Sequence, residues 1–161
     1  MSGARIAPGS GVSNVATGLP LLDHLLAHLA RAGSFDLALE IEPDEPGAEV
    51  DAAGDALGRA VAPLLVRGAH GEGAMPSAEA LAMVVLEASG TPLVASNADL
   101  TGAGGLGTDL AARFLHGLAE AAQLTLHVRL IEGEDTDHVL EAIFKAAGVA
   151  LRRAVAATPA D

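Results

Sequence analysis

The sequence predicts an α+β fold built from a duplicated helix-strand-helix unit. Three observations predict it. Leu22, Leu25, Leu26 and Leu29 recur at helical spacing. Two later segments, Phe35-Leu37-Leu39-Ile41 and Leu124-Leu126-Val128-Leu130, alternate apolar and polar residues as half-buried strands do. A shift of 89 residues then lays Leu26-Ala27-His28-Leu29-Ala30 on Leu115-His116-Gly117-Leu118-Ala119, and the first alternating segment on the second. With one residue inserted, Val50-Asp51 falls on Leu140-Glu141 and Gly58 on Gly148. Chance similarity between Ala- and Leu-rich amphipathic segments is the competing explanation. Duplication predicts instead that strands form sheets, helices cover one face of each, and the halves pack helix to helix.

In chain order, residues 1 to 16 carry weak signals, with a short strand expected at Val12 to Val15. A helix is predicted over Leu21 to Ala32, stopped by Gly33, and is followed by the strand beginning at Phe35. After the turn-rich Pro43 to Gly47, Asp51 to Leu65 reads as a helix bent or broken near Pro63. Val66 to Ala74 reads as a Gly-rich connection, followed by Pro76 to Leu81 and an apolar strand at Met83 to Leu86. A turn at Ser89 to Pro92 leads to a short strand at Leu93 to Ala95 and a Gly-rich loop at Thr101 to Gly107. Thr108 is the expected N-cap of a helix from Asp109 to Ala122. The strand at Leu124 to Leu130 and a last helix towards Ala157 complete the chain. These elements make one domain over 1–161, with halves at about 17–75 and 76–157.

Composition narrows the function. Nine basic against twenty-one acidic residues give a net charge of −12, which argues against nucleic acid or an anionic membrane as partner. Cysteine is absent, so neither a disulfide nor a thiolate metal site is available. The first seventeen residues have no apolar run of the secretory kind, and no stretch reaches the roughly 18 apolar residues of a membrane span. A cytoplasmic protein is expected. Half the residues are hydrophobic, yet there are only three Phe and no Trp or Tyr. The core must therefore be Ala, Leu and Val, which favours close helix packing.

The chemistry concentrates in Asp137-His138-Val139-Leu140-Glu141-Ala142-Ile143-Phe144-Lys145-Ala146. On a helix, His138, Glu141 and Lys145 share one face while Val139, Ile143 and Ala146 turn to the core. That face suits a metal and an anionic substrate, and equally an ordinary solvated surface with a Glu-Lys pair. Elsewhere, His24 and His28 have the i, i+4 spacing that can chelate one ion, but without an HExxH pattern a surface pair is the commoner outcome. His116, in place of Ala27 in the repeat, reads as a surface residue. No P-loop, nucleophile elbow or dinucleotide fingerprint occurs.

Thr17-Gly18-Leu19-Pro20-Leu21-Leu22-Asp23-His24-Leu25-Leu26, Phe35-Asp36-Leu37, Leu124-Thr125-Leu126-His127 and the Asp137 to Ala146 segment together closely resemble imidazoleglycerol-phosphate dehydratase. Met75-Pro76-Ser77-Ala78-Glu79-Ala80-Leu81 and Ser89-Gly90-Thr91-Pro92 fall where that family has its Pro-Met-Asp-Glu-Ala-Leu and Ser-Gly-Arg-Pro motifs. The resemblance covers residues 17 to 156 and implies two small sheets sandwiching a central helical layer. It implies a histidine-biosynthesis lyase with two manganese ions, working in a symmetric homo-oligomer.

Carried over by position, the resemblance puts His24, His127, His138 and Glu141 at metal-ligand positions, and Asp137 and Asp51 where the family has a His and a Glu. Gly47 and Ala48 stand where it has a His pair, so two ligands have no donor atom. Lys145 and Glu79 are the implied substrate-binding residues. Thr91 and Gly102 replace two phosphate-binding arginines, and the family's N-terminal Thr-Lys-Glu-Thr and C-terminal Ser-Lys-Gly segments have no match. The expectation is a family member with eroded metal and phosphate sites, holding one Mn2+ or another divalent ion, or none. Three functions follow: a dehydratase with altered catalysis, a non-catalytic assembly or regulatory partner of a paralogous dehydratase subunit, or a single-metal protein acting on another small molecule.

Overall fold

The computed structural model describes residues 2–98 and 110–157. Seven strands and four helices follow in the order β1 (Gly3–Pro8), β2 (Ser13–Ala16), α1 (Pro20–Gly33), β3 (Phe35–Glu40), α2 (Pro46–Val61), β4 (His70–Ser77), β5 (Ala80–Glu87), β6 (Leu93–Ser96), α3 (Leu110–Ala122), β7 (Thr125–Glu132) and α4 (Thr136–Ala157). One sheet has the order β1-β3-β2 and the other β4-β5-β7-β6. In each, the last strand lies parallel to the short strand preceding its crossover helix, β2 with β3 and β6 with β7, and antiparallel to its other neighbour. Parallel neighbours require a crossover, and α1 and α3 supply it.

The helices lie between the sheets. α2 packs on β1, α1 on β2, α4 on β4 and β5, and α3 on β6, while α1 meets α4 and α2 meets α3. A single core of buried side chains runs through both halves, with Phe114 and Phe144 at its centre, their ring centroids 5.6 Å apart. The duplication is visible at the helix crossings. A side chain on Gly148 would collide with the Leu29 carbonyl, and a Cβ on Gly58 would lie 2.9 Å from the carbonyl of Leu118, the repeat counterpart of Leu29. Glycine is needed at both crossings because backbone meets backbone there.

Most elements follow their sequence signals, and the exceptions have physical causes. α2 begins at Pro46 rather than Asp51, since proline is well suited to a helix's first turn, and a 3₁₀ turn at Ala62–Leu64 replaces its end around Pro63. β1 spans a stretch of weak signal because an edge strand with only Ile6 buried leaves little alternation to read. The Gly-rich connection expected over Val66 to Ala74 is corrected: from His70 it is β4, paired antiparallel with β5. Gly71 and Gly73 are buried there beneath α4, and a Cβ on Gly73 would stand 2.7 Å from the Ala146 carbonyl. Glycine permits close helix-on-sheet approach here rather than a loop. The expected cap Thr108 and the loop at 101–107 lie outside the described residues.

Among the described residues, no helix is long and apolar enough to cross a membrane.

Candidate metal centre

Two local devices set the site's helices. Buried Thr17 donates to Asp23 Oδ1 from both its backbone N–H, at 2.9 Å, and its hydroxyl, at 2.5 Å, which pins the first turn of α1. Asp135 caps α4, its carboxylate accepting the His138 N–H at 3.1 Å. α1 then crosses α4 so that His24 Nε2 stands 2.8 Å from Glu141 Oε2. One turn further along α1, His28 Nε2 lies 3.2 Å from His24 Nε2, the two rings edge to face. From the end of β4, the Ser77 hydroxyl donates to Glu141 Oε1 at 2.6 Å. Donor atoms of His24, His28 and Glu141 all lie within 4.8 Å of one another. Arg31 extends the His24 and His28 face in a small surface pocket, and Lys145 sits one turn beyond Glu141 with Nζ donating to the Pro76 carbonyl at 3.2 Å.

Electrostatics support ligands in their metal-ready forms. The Ser77 hydroxyl, then His24, hold the Glu141 carboxyl below its ordinary value. Burial, then neighbouring His24, pushes His28 down. A deprotonated Glu141 carboxylate and a neutral His28 imidazole are forms that a divalent ion can use.

The half-buried His138 forms a neighbouring unit. Its Nδ1 contacts Glu79 Oε1 at 2.6 Å, while Glu79 Oε2 accepts the backbone N–H groups of Glu134 and Asp135 at 3.2 and 3.1 Å. Glu79 thus orients the imidazole, leaving Nε2 as its outward donor. These backbone bonds, then His138, lower Glu79 to about 2, and Glu79 raises His138. The contribution of Glu79 is complete above its ordinary value of 4.5 and is lost as pH falls towards about 2. That of His138 is complete below 6.5 and lost as pH rises through its raised value. In the apo-protein, Glu79→Ala should therefore lower the His138 pKa in an NMR titration and speed amide exchange at Glu134 and Asp135. An unchanged His138 titration would contradict this pairing.

The structure thus joins His24 and Glu141 and sets Glu79 on His138, a positioning contact rather than one aimed into open solvent. Asp137 is exposed in the first turn of α4. His127 stands on the exposed face of β7, between Val85 and Ala95 in register, while its neighbours Leu126 and Val128 are buried on the helix-covered face. It is not part of the α1–α4 cluster. Asp51 holds the guanidinium of Arg113 from α3 in a two-point ion pair, and Arg113 also donates to the Gly47 carbonyl at 3.3 Å. A cation already engages the carboxylate expected to bind metal. His28, Ser77 and Arg113 were not among the expected site residues. For His28 the i, i+4 spacing was the available signal; for the other two, no spacing links them to their carboxylates.

The family model for imidazoleglycerol-phosphate dehydratase matches residues 17–151. The chain belongs to that family. The dehydratase of Moorella thermoacetica is 38% identical over 162 residues, spanning 95% of this chain and 83% of that protein. That of Aromatoleum aromaticum is 40% identical over 155 residues, spanning 91% and 80%. The crystal structure of imidazoleglycerol-phosphate dehydratase from Staphylococcus aureus superposes with a TM-score of 0.83 at 28% identity, covering 96% of this chain and 92% of that one. The family enzyme from Pyrococcus furiosus gives 0.82 at 27%, covering 93% and 85%. Membership accounts for the α+β architecture and agrees with a lyase of histidine biosynthesis.

Proposed function

We propose that this chain dehydrates imidazoleglycerol phosphate at a metal centre built on His24 and Glu141, with catalysis altered by a reduced set of metal and phosphate ligands. The observation carrying this reading is the 2.8 Å approach of His24 to Glu141 across two helices, backed by Ser77, in a chain of this family. Imidazole and carboxylate donors without thiolate suit manganese or another first-row divalent ion. Such an ion, when bound, polarises and orients the substrate. Glu141 keeps its negative charge facing the site, Ser77 fixes that carboxylate, and Glu79 fixes the ring of His138. Lys145 retains donor capacity beyond its bond to Pro76, which suits the substrate phosphate.

Exposed His127, with Asp137, belongs in this reading to contacts with further copies of the chain in a cytoplasmic homo-oligomer. The lack of side-chain donor atoms at Gly47 and Ala48 and the engagement of Asp51 by Arg113 leave fewer ligands than the family resemblance implies. That ion pair also favours a second reading, a non-catalytic subunit assembling with a competent paralogue. Purified protein supplied with Mn2+ and imidazoleglycerol phosphate distinguishes them. Substrate-dependent loss of water by this chain alone, with growth of a histidine auxotroph lacking the dehydratase, is the expected result. No turnover by soluble protein, and incorporation into particles of an active dehydratase, would favour the second reading.

A further inference from the structure

We infer that His28 is a third protein ligand, closing with His24 and Glu141 a mononuclear site for a first-row divalent cation within a single chain. This inference rests on reading the α1–α4 groove as a metal centre, and does not require that the centre dehydrate anything.

The first argument is a proton count. His24 Nε2 is approached both by Glu141 Oε2 at 2.8 Å and by His28 Nε2 at 3.2 Å. An imidazole nitrogen carries either a proton or a lone pair, never both. If His24 Nε2 carries its proton, it can donate to Glu141, and His28 must then present a lone pair to share it or a second proton that repels it. If it carries its lone pair, it can accept from His28, and the carboxylate of Glu141 then needs a proton of its own. In that last arrangement two protons point at the single lone pair of His24 Nε2. Protons alone leave one of the two short contacts poorly satisfied. A cation set among the three atoms satisfies all of them, because it takes a lone pair from each.

Geometry agrees. Two bonds of about 2.0–2.1 Å to a tetrahedral ion place neighbouring donors about 3.3 Å apart. The two separations from His24, 2.8 and 3.2 Å, come within about half an ångström of that value, and the third edge, between His28 and Glu141, lies within 4.8 Å and closes on it by side-chain rotation. His24 and His28 project from consecutive turns of one helix, and the side chains of both can turn Nε2 towards the same point. Ser77 occupies the remaining oxygen of Glu141, so Oε2 alone faces the histidines, the kind of outer contact that orients a ligating carboxylate.

The other half of the molecule supplies an independent comparison. Under the repeat, His24 corresponds to Arg113, Glu141 to Asp51 and His28 to Gly117. There the α3 residue and the α2 carboxylate are joined as an ion pair, and a Cβ on Gly47 would lie 2.7 Å from the Arg113 guanidinium. The corresponding place between helices therefore holds a fixed positive group on one side. On the α1–α4 side, two imidazoles face the carboxylate, with Arg31 further along the same face and Lys145 one turn beyond Glu141. The structure thus assigns one exchangeable cation to each chain, on the side that carries His28.

The test uses the full chain, stripped with chelator and dialysed. Mn2+ is titrated with free Mn2+ followed by electron paramagnetic resonance, and Zn2+ by competition with a chromophoric chelator. One ion per chain is expected. His28→Ala and His28→Gln should each weaken binding at least about 10-fold, while His116→Ala, on the exposed surface of α3, should leave it unchanged. Far-ultraviolet circular dichroism of the variants checks that they remain folded. Wild-type affinity in folded His28→Ala and His28→Gln, or no ion bound to the wild type, would overturn the inference. Dehydration by a protein whose metal affinity ignores His28 would sink this inference alone. Tight, His28-dependent binding without dehydration would sink the proposed reaction alone.

Discussion

Gly148→Ala is expected to destabilise the protein by roughly 1–3 kcal/mol, the range for forcing extra volume into a packed interior. This runs against helix propensity, by which alanine at an exposed interior position would gain about 1 kcal/mol over glycine. The reason is the crossing of α1 and α4. Gly148 is buried, and its absent side chain is the space into which the Leu29 carbonyl reaches, while Gly33 lies against the carbonyl of Gly148 from the other side. Backbone cannot rotate away as a side chain can, so the helices must separate. Separation acts directly on function, because the same two helices carry His24, His28 and Glu141. Gly148→Ala should therefore lower both the midpoint of urea unfolding and the affinity for Mn2+. Gly117→Ala is the control, since its Cβ would sit at an ordinary 3.4 Å from Gly54. It should be neutral or stabilising. Equal stability of the two variants would show that the α1–α4 crossing tolerates relaxation, contrary to this account.

Glu141→Ala should lower kcat/KM for dehydration at least about 100-fold, at or beyond the upper end of effects known for the outer contacts of metal ligands. Among the described residues, Glu141 is the carboxylate grouped with the two imidazoles, and Ser77 spends its hydroxyl on holding it there. Without it the site keeps two neutral donors and loses its negative charge. Glu141→Gln retains an oxygen for Ser77 and so separates shape from charge. It should also lose activity, and in both variants the rise in melting temperature that added Mn2+ gives the wild type should shrink, since stabilisation by a ligand follows its affinity. A Glu141→Gln variant with full metal-induced stabilisation would remove Glu141 from the ligand set.

Much of the architecture is legible in the chain because local patterns answer to local physics. α1 declares itself through Leu22, Leu25, Leu26 and Leu29, all fully buried, and β3 and β7 through alternation that matches their buried faces. β1 and β4 are not legible in this way. Ile6 is the only buried residue of β1, and the buried Gly71 and Gly73 of β4 carry no hydrophobic side chain to betray a core position. Their strand character comes from pairing with β3 and β5 and from a helix backbone that only glycine admits.

The candidate site divides along the same line. His138, Glu141 and Lys145 can be placed on one helical face by counting residues, and the loss of donors at Gly47 and Ala48 is a matter of composition alone. The i, i+4 spacing of His24 and His28 is equally plain, yet a pair on one helix has no meaning for a metal until a third donor arrives. Glu141 arrives from 117 positions along the chain, and Arg113 reaches Asp51 across 62. Residue types, helical phase and family membership were thus determined by the sequence itself. Which carboxylate met imidazoles and which met a guanidinium was decided by the helix crossings, because contacts between side chains remote in sequence exist only once the core has packed.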